Sequence, residues 1–457
     1  MAAAYNYDTV ILGAGMAGLA AGRILADSGT QVALFEARNR VGGRVFTEHL
    51  ATGSVGEVIA VELGAEFVHG LPRQTWTLLR EASLETYELS GTRLRFADGR
   101  LQTSERHGEG STNVLERMTQ WRASQPPDTD ATFAEYLRQA TVGPDDRQSA
   151  VQYVESFNAA DSNLIGVAAL AKQQRAEDQI ESDRLFRVRE GYDGVPKFLA
   201  AKIEQAGGAI HLHTTVQRIV WQRGAVELYG MNGSGGAFSV RARRAIITLP
   251  LGVLHAGTVE FAPAPGDMLA HARRLVMGAV VRVTLVFSTR FWRHLSWSKN
   301  GIELAADVEQ LSFLFTRDEL PATWWTAMPD TAPTITGWIG GPKVAEIARK
   351  IKARGTPDAL LTECLNTLAR AFDLSSEELQ RLLVSWHTHD WQSDQCARGA
   401  YSYAPAGALD ASEKMTRVIE DTLYFAGEHT DTSGHWGTVH GALASGMRAA
   451  AQLMSKS

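Results

Sequence analysis

A glycine-rich turn near the start of the chain has the residue types and spacing that point most directly to chemistry. Residues 10–18, VILGAGMAG, run from an apolar strand pattern through G-x-G-x-x-G into an alanine-rich helix pattern. Gly13 allows the tight turn, Gly15 lets backbone N–H groups approach phosphate oxygens, and Gly18 lets the helix lie close to the strand. The helix N-terminus adds the positive end of its dipole. The sequence therefore predicts a site for a dinucleotide pyrophosphate.

An acidic residue follows this turn at the distance that a dinucleotide site requires. The strand pattern QVALF at 31–35 ends at Glu36, eighteen residues after Gly18. In dinucleotide-binding folds a carboxylate at about this spacing binds the ribose hydroxyls. Because it would repel a ribose 2′-phosphate, NADP is disfavoured.

Composition narrows the class of protein. The length of 457 residues exceeds that of one ordinary core, and a formal net charge of -6 favours a small-molecule substrate over nucleic acid. Only Cys364 and Cys396 are present, which excludes a disulfide framework and suits a reducing compartment. No apolar run reaches about eighteen residues, and the first strand begins by Thr9, so we expect a cytoplasmic protein with neither a membrane span nor a signal peptide.

Along the rest of the chain, segments that we assign to two different domains alternate. A polar, helical stretch over 104–181 is followed by strand patterns at 210–213, 216–221 and 245–250, with a hairpin tip between Gly230 and Gly236. A strand over 280–287 and a helical stretch over 342–372 follow, and we assign them to the same domain as the polar stretch. A strand entering a glycine turn over 423–428 and a helix from about Val439 to Met454 belong to the domain of the glycine-rich turn. We therefore expect two interleaved domains, the first from 1–85, 195–260 and 395–457, and the second from 86–194 and 261–394.

Further motifs resemble the flavin amine oxidase family, which includes monoamine and polyamine oxidases, L-amino acid oxidases and lysine-specific histone demethylases. In chain order they are RVGGR at 40–44, ELGAEFVHG at 62–70, ARGAYSY at 397–403, and FAGEHT at 425–430 with VHGA at 439–442. The resemblance covers nearly the whole chain. It implies bound FAD and the amine oxidase, glutathione reductase-like fold, in which a Rossmann-type α/β FAD-binding domain is interleaved with an α+β substrate domain.

The resemblance also implies which residues hold the cofactor. Glu36 is expected at the adenosine ribose, Arg44 near the pyrophosphate, and Glu428 near the ribityl and phosphate region. The backbone of Val216 is expected at the adenine, and Thr438 begins a helix that approaches the isoalloxazine ring. The full expected set is Gly13, Gly15, Ala17, Gly18, Glu36, Arg38, Gly43, Arg44, Gly64, Ala65, Val216, Trp391, Gly427, Glu428, Thr438 and Val439.

Departures from the family pattern modify this expectation. Ala400 stands where monoamine oxidases carry the cysteine that tethers FAD, and Cys396 lies four residues too early, so FAD is expected to be noncovalent. Arg282 stands where many members carry a lysine that holds a water against flavin N5. An arginine keeps the charge but does not release a proton, so it acts either at the flavin or on a substrate carboxylate.

The residues expected at the substrate are His69, Arg282, Tyr401 and Thr438. Tyr401 forms one wall of the slot, and the non-aromatic Thr438 replaces the second aromatic of the family's cage, which implies a wider slot like that of the histone demethylases. His69 stands where polyamine oxidases carry a substrate-site histidine, and its imidazole is expected to sense or accept the amine proton near neutral pH. Further aromatic residues considered for the funnel are Phe186, Phe313, Trp324, Trp386, Trp391 and Trp436.

Two histidine pairs, His387 with His389 and His211 with His213, lack an obvious neighbouring carboxylate, so no metal site is predicted. The leading hypothesis is an FAD-dependent oxidase of polyamine-oxidase type that converts a primary or secondary amine to an imine and reduces oxygen to hydrogen peroxide. The alternatives are an L-amino acid oxidase with an arginine clamp from Arg282, Arg93 or Arg189, a flavin-dependent dehydrogenase or desaturase, and a protein that keeps FAD without turnover.

Overall fold

The structure is a computed structural model that describes residues 7–51, 58–97, 99–104, 109–294, 308–316, 319–356 and 358–455. The helices are α1 (Met16–Asp27), α2 (Arg73–Glu81), α3 (Glu109–Ser124), α4 (Phe133–Gln139), α5 (Pro144–Phe157), α6 (Val167–Asp178), α7 (Gly194–Gln205), α8 (Leu251–Ala256), α9 (Met268–Ala272), α10 (Lys343–Arg354), α11 (Ala359–Phe372), α12 (Ser376–Leu382), α13 (Ala411–Lys414) and α14 (Val439–Met454). The strands are β1 (Tyr7–Leu12), β2 (Val32–Phe35), β3 (Thr47–Ala51), β4 (Val58–Glu62), β5 (Val68–His69), β6 (Thr86–Glu88), β7 (Thr92–Ala97), β8 (Arg100–Thr103), β9 (Leu185–Val188), β10 (Ala209–His211), β11 (Thr214–Gln222), β12 (Ala225–Asn232), β13 (Ala237–Ile247), β14 (Glu260–Ala262), β15 (Val276–Met277), β16 (Val280–Phe287), β17 (Leu311–Thr316), β18 (Thr323–Thr326), β19 (Thr334–Gly340), β20 (Leu383–His387), β21 (Ser402–Tyr403) and β22 (Leu423–Phe425).

The first large sheet has the strand order β10-β2-β1-β13-β12-β11-β14, and β22 also pairs with β13. The pairs β1 with β2, β1 with β13 and β13 with β22 are all parallel. The carboxyl ends of these four strands therefore meet at one edge of the sheet, where ligands bind in open α/β sheets. The residues that follow them, among them Gly13, Glu36, Thr248 and Gly427, converge there.

Helices α1 and α14 pack against each other beside this sheet. Their close approach depends on small residues, since a Cβ on Gly446 of α14 would lie 2.1 Å from the carbonyl oxygen of Ala17 in α1. The core that they share includes Leu19, Leu25 and Leu443, all 0% exposed. This packing places the N-termini of both helices at the carboxyl edge of the sheet.

A second sheet has the order β20-β16-β19-β18-β17-β7-β8. One of its faces packs against α11 in a core that contains Trp292, Trp324 and Leu285. Because successive side chains of a strand point to opposite faces, the neighbouring residue Trp325 lies on the other face, toward the site described below. The strands of this sheet all lie between 92 and 387, and the domain bounds remain a prediction.

Several local predictions are confirmed, and one is wrong in its bounds. The strand over 280–287, the hairpin tip after Asn232 and the closing helix over 439–454 occur as expected. The predicted strand at 245–250 instead begins at Ala237 and ends at Ile247 as part of a long hairpin. The predicted helical stretch over 342–372 is two helices, because Gly355 ends the first of them in a left-handed conformation with φ of 68°.

Candidate active site

A cavity of about 1220 Å³ runs from the carboxyl edge of the first sheet to the inner face of the second sheet. This volume exceeds the roughly 300–1,000 Å³ of an ordinary ligand pocket, so it has room for a large cofactor and a second molecule. Except for Gly18, every residue expected to bind the cofactor or the substrate lines it. These lining residues are Gly13, Gly15, Ala17, Glu36, Arg38, Gly43, Arg44, Gly64, Ala65, His69, Val216, Arg282, Trp391, Tyr401, Gly427, Glu428, Thr438 and Val439.

The glycine-rich turn has the geometry of an anion cradle. Gly13 has φ of 101°, a left-handed value that favours glycine, and Gly15 is the N-cap of α1. Gly18 lies behind the turn, where a Cβ would stand 2.0 Å from the Gly13 carbonyl oxygen. The absence of that Cβ lets α1 start directly at the turn, which aims its first N–H groups into the cavity.

Glu36 is held in place by backbone donors. Its carboxylate accepts hydrogen bonds from the backbone N–H of Ala14 at 2.9 Å and of Arg38 at 2.9 Å. The Arg38 guanidinium is in turn held at 2.8 Å from Asp394. The carboxylate therefore lies beside the phosphate turn, where a ribose would follow the pyrophosphate.

The buried Glu428 and the half-buried Arg44 form an ion pair in the cavity lining, with 3.0 Å between Nη1 and Oε1. Glu428 also accepts hydrogen bonds from the Ser402 hydroxyl at 2.6 Å and the Gly437 N–H at 3.1 Å. Burial alone would raise the pKa of Glu428, but Arg44 and these donors outweigh it and hold the pKa below its ordinary value. The carboxylate is therefore ionised and aimed by its neighbours.

Gly64, Ala65, Tyr401 and Thr438 define the inner end of the cavity, where hydrogen bonds hold the last two side chains in place. Tyr401 donates a hydrogen bond to the Phe157 carbonyl at 2.7 Å. The Thr438 hydroxyl donates to the His435 carbonyl at 2.7 Å and accepts from the Gly441 N–H at 3.0 Å. Thr438 is thus the N-cap of α14, and its hydroxyl is engaged by the backbone, which favours a positioning role over a direct part in proton transfer.

Arg282 does not stand alone beside this end. Its Nη2 donates to Glu66 at 2.5 Å, its Nη1 donates to the Gly64 carbonyl at 3.1 Å, and the residue is only 4% exposed. Arg187 pairs with the same Glu66 carboxylate, and Trp325 donates to it at 3.0 Å. Because Glu66 already pairs with Arg282, the structure argues against the substrate-carboxylate role that the sequence left open for this arginine.

His69 lies between the rings of Phe67 and Phe157, with both contacts edge to face. Burial lowers its pKa to about 4. The imidazole is therefore uncharged at neutral pH, which argues against the proton-sensing part of its predicted role. A neutral imidazole remains able to give or accept a hydrogen bond in the cavity.

The aromatic lining differs in part from the prediction. Phe313, Trp391 and Trp436 line the cavity as considered, whereas Phe186, Trp324 and Trp386 pack in the cores. Eight aromatic residues that were not predicted for the wall also line the cavity: Phe35, Phe67, Tyr153, Phe157, Phe315, Trp325, Trp338 and Tyr403. Strand alternation could have indicated Trp325, since one of two consecutive tryptophans in a strand must face away from the core.

Part of the cavity lining is an acidic wall. It consists of the cavity-lining carboxylates of α5, of α6 and of the turn after α6, namely Asp145, Asp146, Glu177, Asp178, Glu181 and Asp183. Every charged residue that lines the described cavity between 145 and 185 is acidic. Burial raises the pKa of Glu177 to about 7, so an approaching cation would favour its ionised form. No motif in the sequence indicated any of these residues.

Comparison with known proteins identifies the family of this chain. A family model described as "Flavin containing amine oxidoreductase" matches residues 16–454. The chain belongs to this family. It is therefore an oxidoreductase that acts on amine CH–NH or CH–NH2 donors and uses a flavin cofactor, and the glycine-rich cradle, the ionised Glu428 and the large cavity fit such a group.

Relatives of the family match almost the whole chain. Polyamine oxidase 3 of Oryza sativa subsp. japonica is 26% identical over 470 residues, covering 97% of this chain and 88% of that protein. Amine oxidase [flavin-containing] B of Sus scrofa is 24% identical, covering 98% and 86%. Among solved structures, putrescine oxidase bound to putrescine superposes with a TM-score of 0.79 at 20% identity, covering 98% of this chain and 99% of that one. Cyclohexylamine oxidase from Brevibacterium oxydans IH-35A gives 0.77 at 22% identity, with the same coverage. These likenesses confirm the predicted α/β fold.

One negative prediction rested on a wrong premise. The strand histidines do have carboxylate neighbours, since His387 lies 2.8 Å from Glu48 and His389 lies 2.8 Å from Asp394. Each is a single pair, and the described residues contain no group of three or more such side chains arranged to hold a metal ion. Nor does any described helix have the length and apolar character to cross a membrane.

Proposed function

We propose that this chain is an FAD-dependent amine oxidase of polyamine-oxidase type. It holds FAD noncovalently and oxidises a primary or secondary amine to an imine, which water hydrolyses to an aldehyde, while oxygen is reduced to hydrogen peroxide. The observation that carries the proposal is the single cavity, which joins the glycine-rich cradle at Gly13 to an aromatic and acidic inner chamber. A dinucleotide cofactor and a cationic guest would meet at the inner end of this cavity.

Noncovalent binding is supported by the positions of both cysteines. Cys364 is buried in the core beneath the second sheet, and Cys396 lies near Arg38 and Glu36, at the ribose end of the cavity. At the inner end, Ala400 offers no side-chain nucleophile, and its carbonyl accepts a hydrogen bond from Arg44. Acid precipitation should therefore release the flavin into the supernatant. Yellow colour that stays in the pellet would contradict noncovalent binding.

A cationic substrate is supported by the acidic wall. Clefts lined by charge of one sign raise the local concentration of the opposite charge. Phe313, Phe315, Trp325 and Trp338 line the same cavity with apolar and π surface that suits an alkyl chain and an ammonium group. Together they favour an amine, and best a diamine or polyamine, over an amino acid.

The chain's own residues must keep the reacting amine neutral, since a protonated nitrogen has no lone pair. Bound flavin supplies the two-electron acceptor for oxidation of the C–N bond. Tyr401 and the aromatic wall exclude water from the inner end, and the uncharged imidazole of His69 is available to hydrogen-bond the amine. Arg282, fixed by Glu66, keeps a positive charge beside Gly64.

One observation favours the L-amino acid oxidase alternative. Arg93 lines the cavity from β7 and stacks over Phe313, with 5.6 Å between guanidinium carbon and ring centre. Arg189, by contrast, does not line the cavity and pairs with Glu85 and Asp330. The acidic wall, which lines the same cavity, would repel a substrate carboxylate bound at Arg93. This repulsion disfavours an amino acid substrate.

An anaerobic screen tests the proposal. Diamines, polyamines, aromatic monoamines and L-amino acids are mixed with the purified yellow protein, and bleaching of the flavin absorbance is followed. We expect polyamines or other amines to bleach it and L-amino acids to leave it oxidised. Peroxide formed on readmitting air separates an oxidase from a dehydrogenase. Colourless protein that binds no added FAD, or flavin that no amine bleaches, would overturn the proposed function.

A further inference from the structure

A buried charge cluster lies behind the inner end of the cavity and consists of Glu62, Glu66, Arg187 and Arg282. Its members come from the segment that includes β4 and the residues after it, from β9 and from β16, and their side chains are largely buried. Only Glu66 and Arg282 line the cavity. The cluster is therefore screened from water but adjoins the surface on which we place the flavin.

Glu66 is shared by two cations. It accepts hydrogen bonds from Arg282 at 2.5 Å and from Trp325 at 3.0 Å, and it also pairs with Arg187. The Nε atoms of Arg187 and Arg282 are buried and have no hydrogen-bond partner in the described structure. One carboxylate thus faces two guanidinium groups, and a second negative charge is needed for the cluster to be neutral.

Glu62 is placed to supply that charge. It is 8% exposed and accepts hydrogen bonds from the Thr47 hydroxyl at 2.6 Å and the Tyr192 N–H at 2.7 Å. Two residues later, the Gly64 carbonyl accepts a hydrogen bond from Arg282 at 3.1 Å, so Glu62 and the arginine share one short stretch of backbone. Within the described residues Glu62 forms no direct ion pair with a cation.

The surroundings of Glu62 balance its protonation close to neutrality. Burial raises its pKa to about 7, while Thr47, the Tyr192 N–H and Arg282 favour the ionised form. Arg187 also interacts with Glu62 electrostatically, and Asp193 opposes its ionisation and is itself paired with Lys197 and His49. The phenols of Tyr87 and Tyr192 stay protonated, because burial raises their pKa values.

We propose that Glu62 is a positioning residue that sets the net charge presented to the flavin by the Arg187–Glu66–Arg282 group. When Glu62 is ionised, two carboxylates balance two guanidinium groups. When it is protonated, one positive charge is left next to the inner end of the cavity. A nearby positive charge stabilises the anionic reduced flavin, so the proton on Glu62 makes the bound flavin easier to reduce. This inference rests on the proposed function insofar as it requires bound flavin.

The test is the midpoint potential of bound flavin as a function of pH, measured by spectroelectrochemical titration without any amine. Glu62→Gln keeps the cluster positive, so its potential should match that of the wild type at about pH 5.5 and exceed it at about pH 8.5. We expect at least a tenfold difference in the reduction equilibrium at the higher pH, or about 30 mV for a two-electron couple. Comparing the two proteins at each pH cancels the proton uptake of the flavin itself.

Glu363→Gln is the matched control, since it neutralises another buried carboxylate. Glu363 lies in α11, pairs with Arg354 of α10 and is absent from the cavity lining. Its potentials should follow those of the wild type at every pH. Parallel curves for Glu62→Gln and the wild type would overturn the inference while leaving the proposed function intact. A protein that binds no flavin would overturn both.

Two further variants keep the inference testable if Glu62→Gln does not fold. Thr47→Val removes the hydroxyl that favours ionised Glu62, so the pH at which the potential changes should rise. Arg187→Met removes one positive charge and should lower the potential at both pH values. An unmoved transition in the first variant, or an unchanged potential in the second, would count against the cluster as the controlling group.

Discussion

The substitution Gly18→Ala tests the steric basis of the cofactor cradle. A Cβ at this position would lie 2.0 Å from the Gly13 carbonyl oxygen and 3.1 Å from the Thr248 hydroxyl oxygen, where ordinary contacts begin at 3.4 Å. The carbonyl belongs to the tight turn, and the Thr248 hydroxyl is held by the Leu12 carbonyl at 2.6 Å, so neither neighbour yields easily. Helix α1 must therefore move away from the turn by on the order of 1 Å.

Two effects on stability oppose each other. Overpacking of this kind costs about 1–3 kcal/mol. An alanine in a helix returns up to about 1 kcal/mol relative to glycine. The displaced N–H groups at the start of α1 would also lose optimal hydrogen bonds to a pyrophosphate, each worth about 1.5–3 kcal/mol when the acceptor is charged. We therefore expect FAD affinity to fall at least tenfold, which corresponds to about 1.4 kcal/mol.

Titration of the apoprotein with FAD, followed by flavin fluorescence, measures the affinity, and urea unfolding measures the stability. Gly22→Ala is the control on the same helix, because its Cβ would meet only side-chain ends, Leu34 Cδ1 at 2.9 Å and Ile203 Cδ1 at 3.1 Å. It should leave FAD affinity unchanged. If Gly18→Ala binds FAD as tightly as Gly22→Ala, the close approach of α1 to the turn is not what shapes the cradle.

Three further predictions concern charge and pH. His69→Ala should lower turnover without shifting its pH profile above pH 6, because the pKa of about 4 leaves the wild-type imidazole uncharged there; a shifted profile in steady-state assays would restore the sensing role. His429 is 1% exposed, and neither of its ring nitrogens has a hydrogen-bond partner in the described structure. Burial lowers its pKa from 6.5 to about 4. Between these two pH values the unfolded state binds more protons than the folded state, so the free energy of unfolding falls as the pH drops. The free energy of unfolding of His429→Phe, measured in urea, should therefore fall by roughly 3 kcal/mol less than that of the wild type between pH 7 and pH 4, at about 1.36 kcal/mol per pKa unit. An equal fall in both proteins would contradict this prediction. Replacing Asp178, Glu181 and Asp183 by their amides should lower kcat/KM for polyamines several-fold at low salt, because the acidic wall attracts the cationic substrate. The dependence of kcat/KM on salt should also become weaker. The control Asp128→Asn, which lies outside the cavity lining, should change neither quantity.

The features best predicted from sequence are local ones. The G-x-G-x-x-G turn, the strand over 280–287 and the helix over 439–454 follow from steric freedom at glycine and from the period of apolar residues, both of which operate within a few residues. Gly13, Glu36 and Gly427 line one cavity because the strands that precede them are parallel, and parallel strands bring their carboxyl ends to one edge of a sheet.

Local patterns could not determine which distant residues meet. Trp324 and Trp325 are adjacent in sequence, and only the packing of α11 against one face of the second sheet assigns the first to the core and the second to the cavity. Arg282 is a single cation in the sequence, but it shares Glu66, 216 residues away, with Arg187. The burial that lowers the pKa of His69 likewise depends on Phe157, which another helix supplies.

The sequence by itself determined where the glycine-rich turn begins, since that turn depends on a left-handed backbone at Gly13 and on the absence of a Cβ at Gly18, both at fixed spacing. The tertiary structure decided the charge state and chemical character of the chamber beyond it. Desolvation and ion pairing depend on which side chains from separate elements are brought together, and contacts across hundreds of residues leave no periodic signal in a single chain.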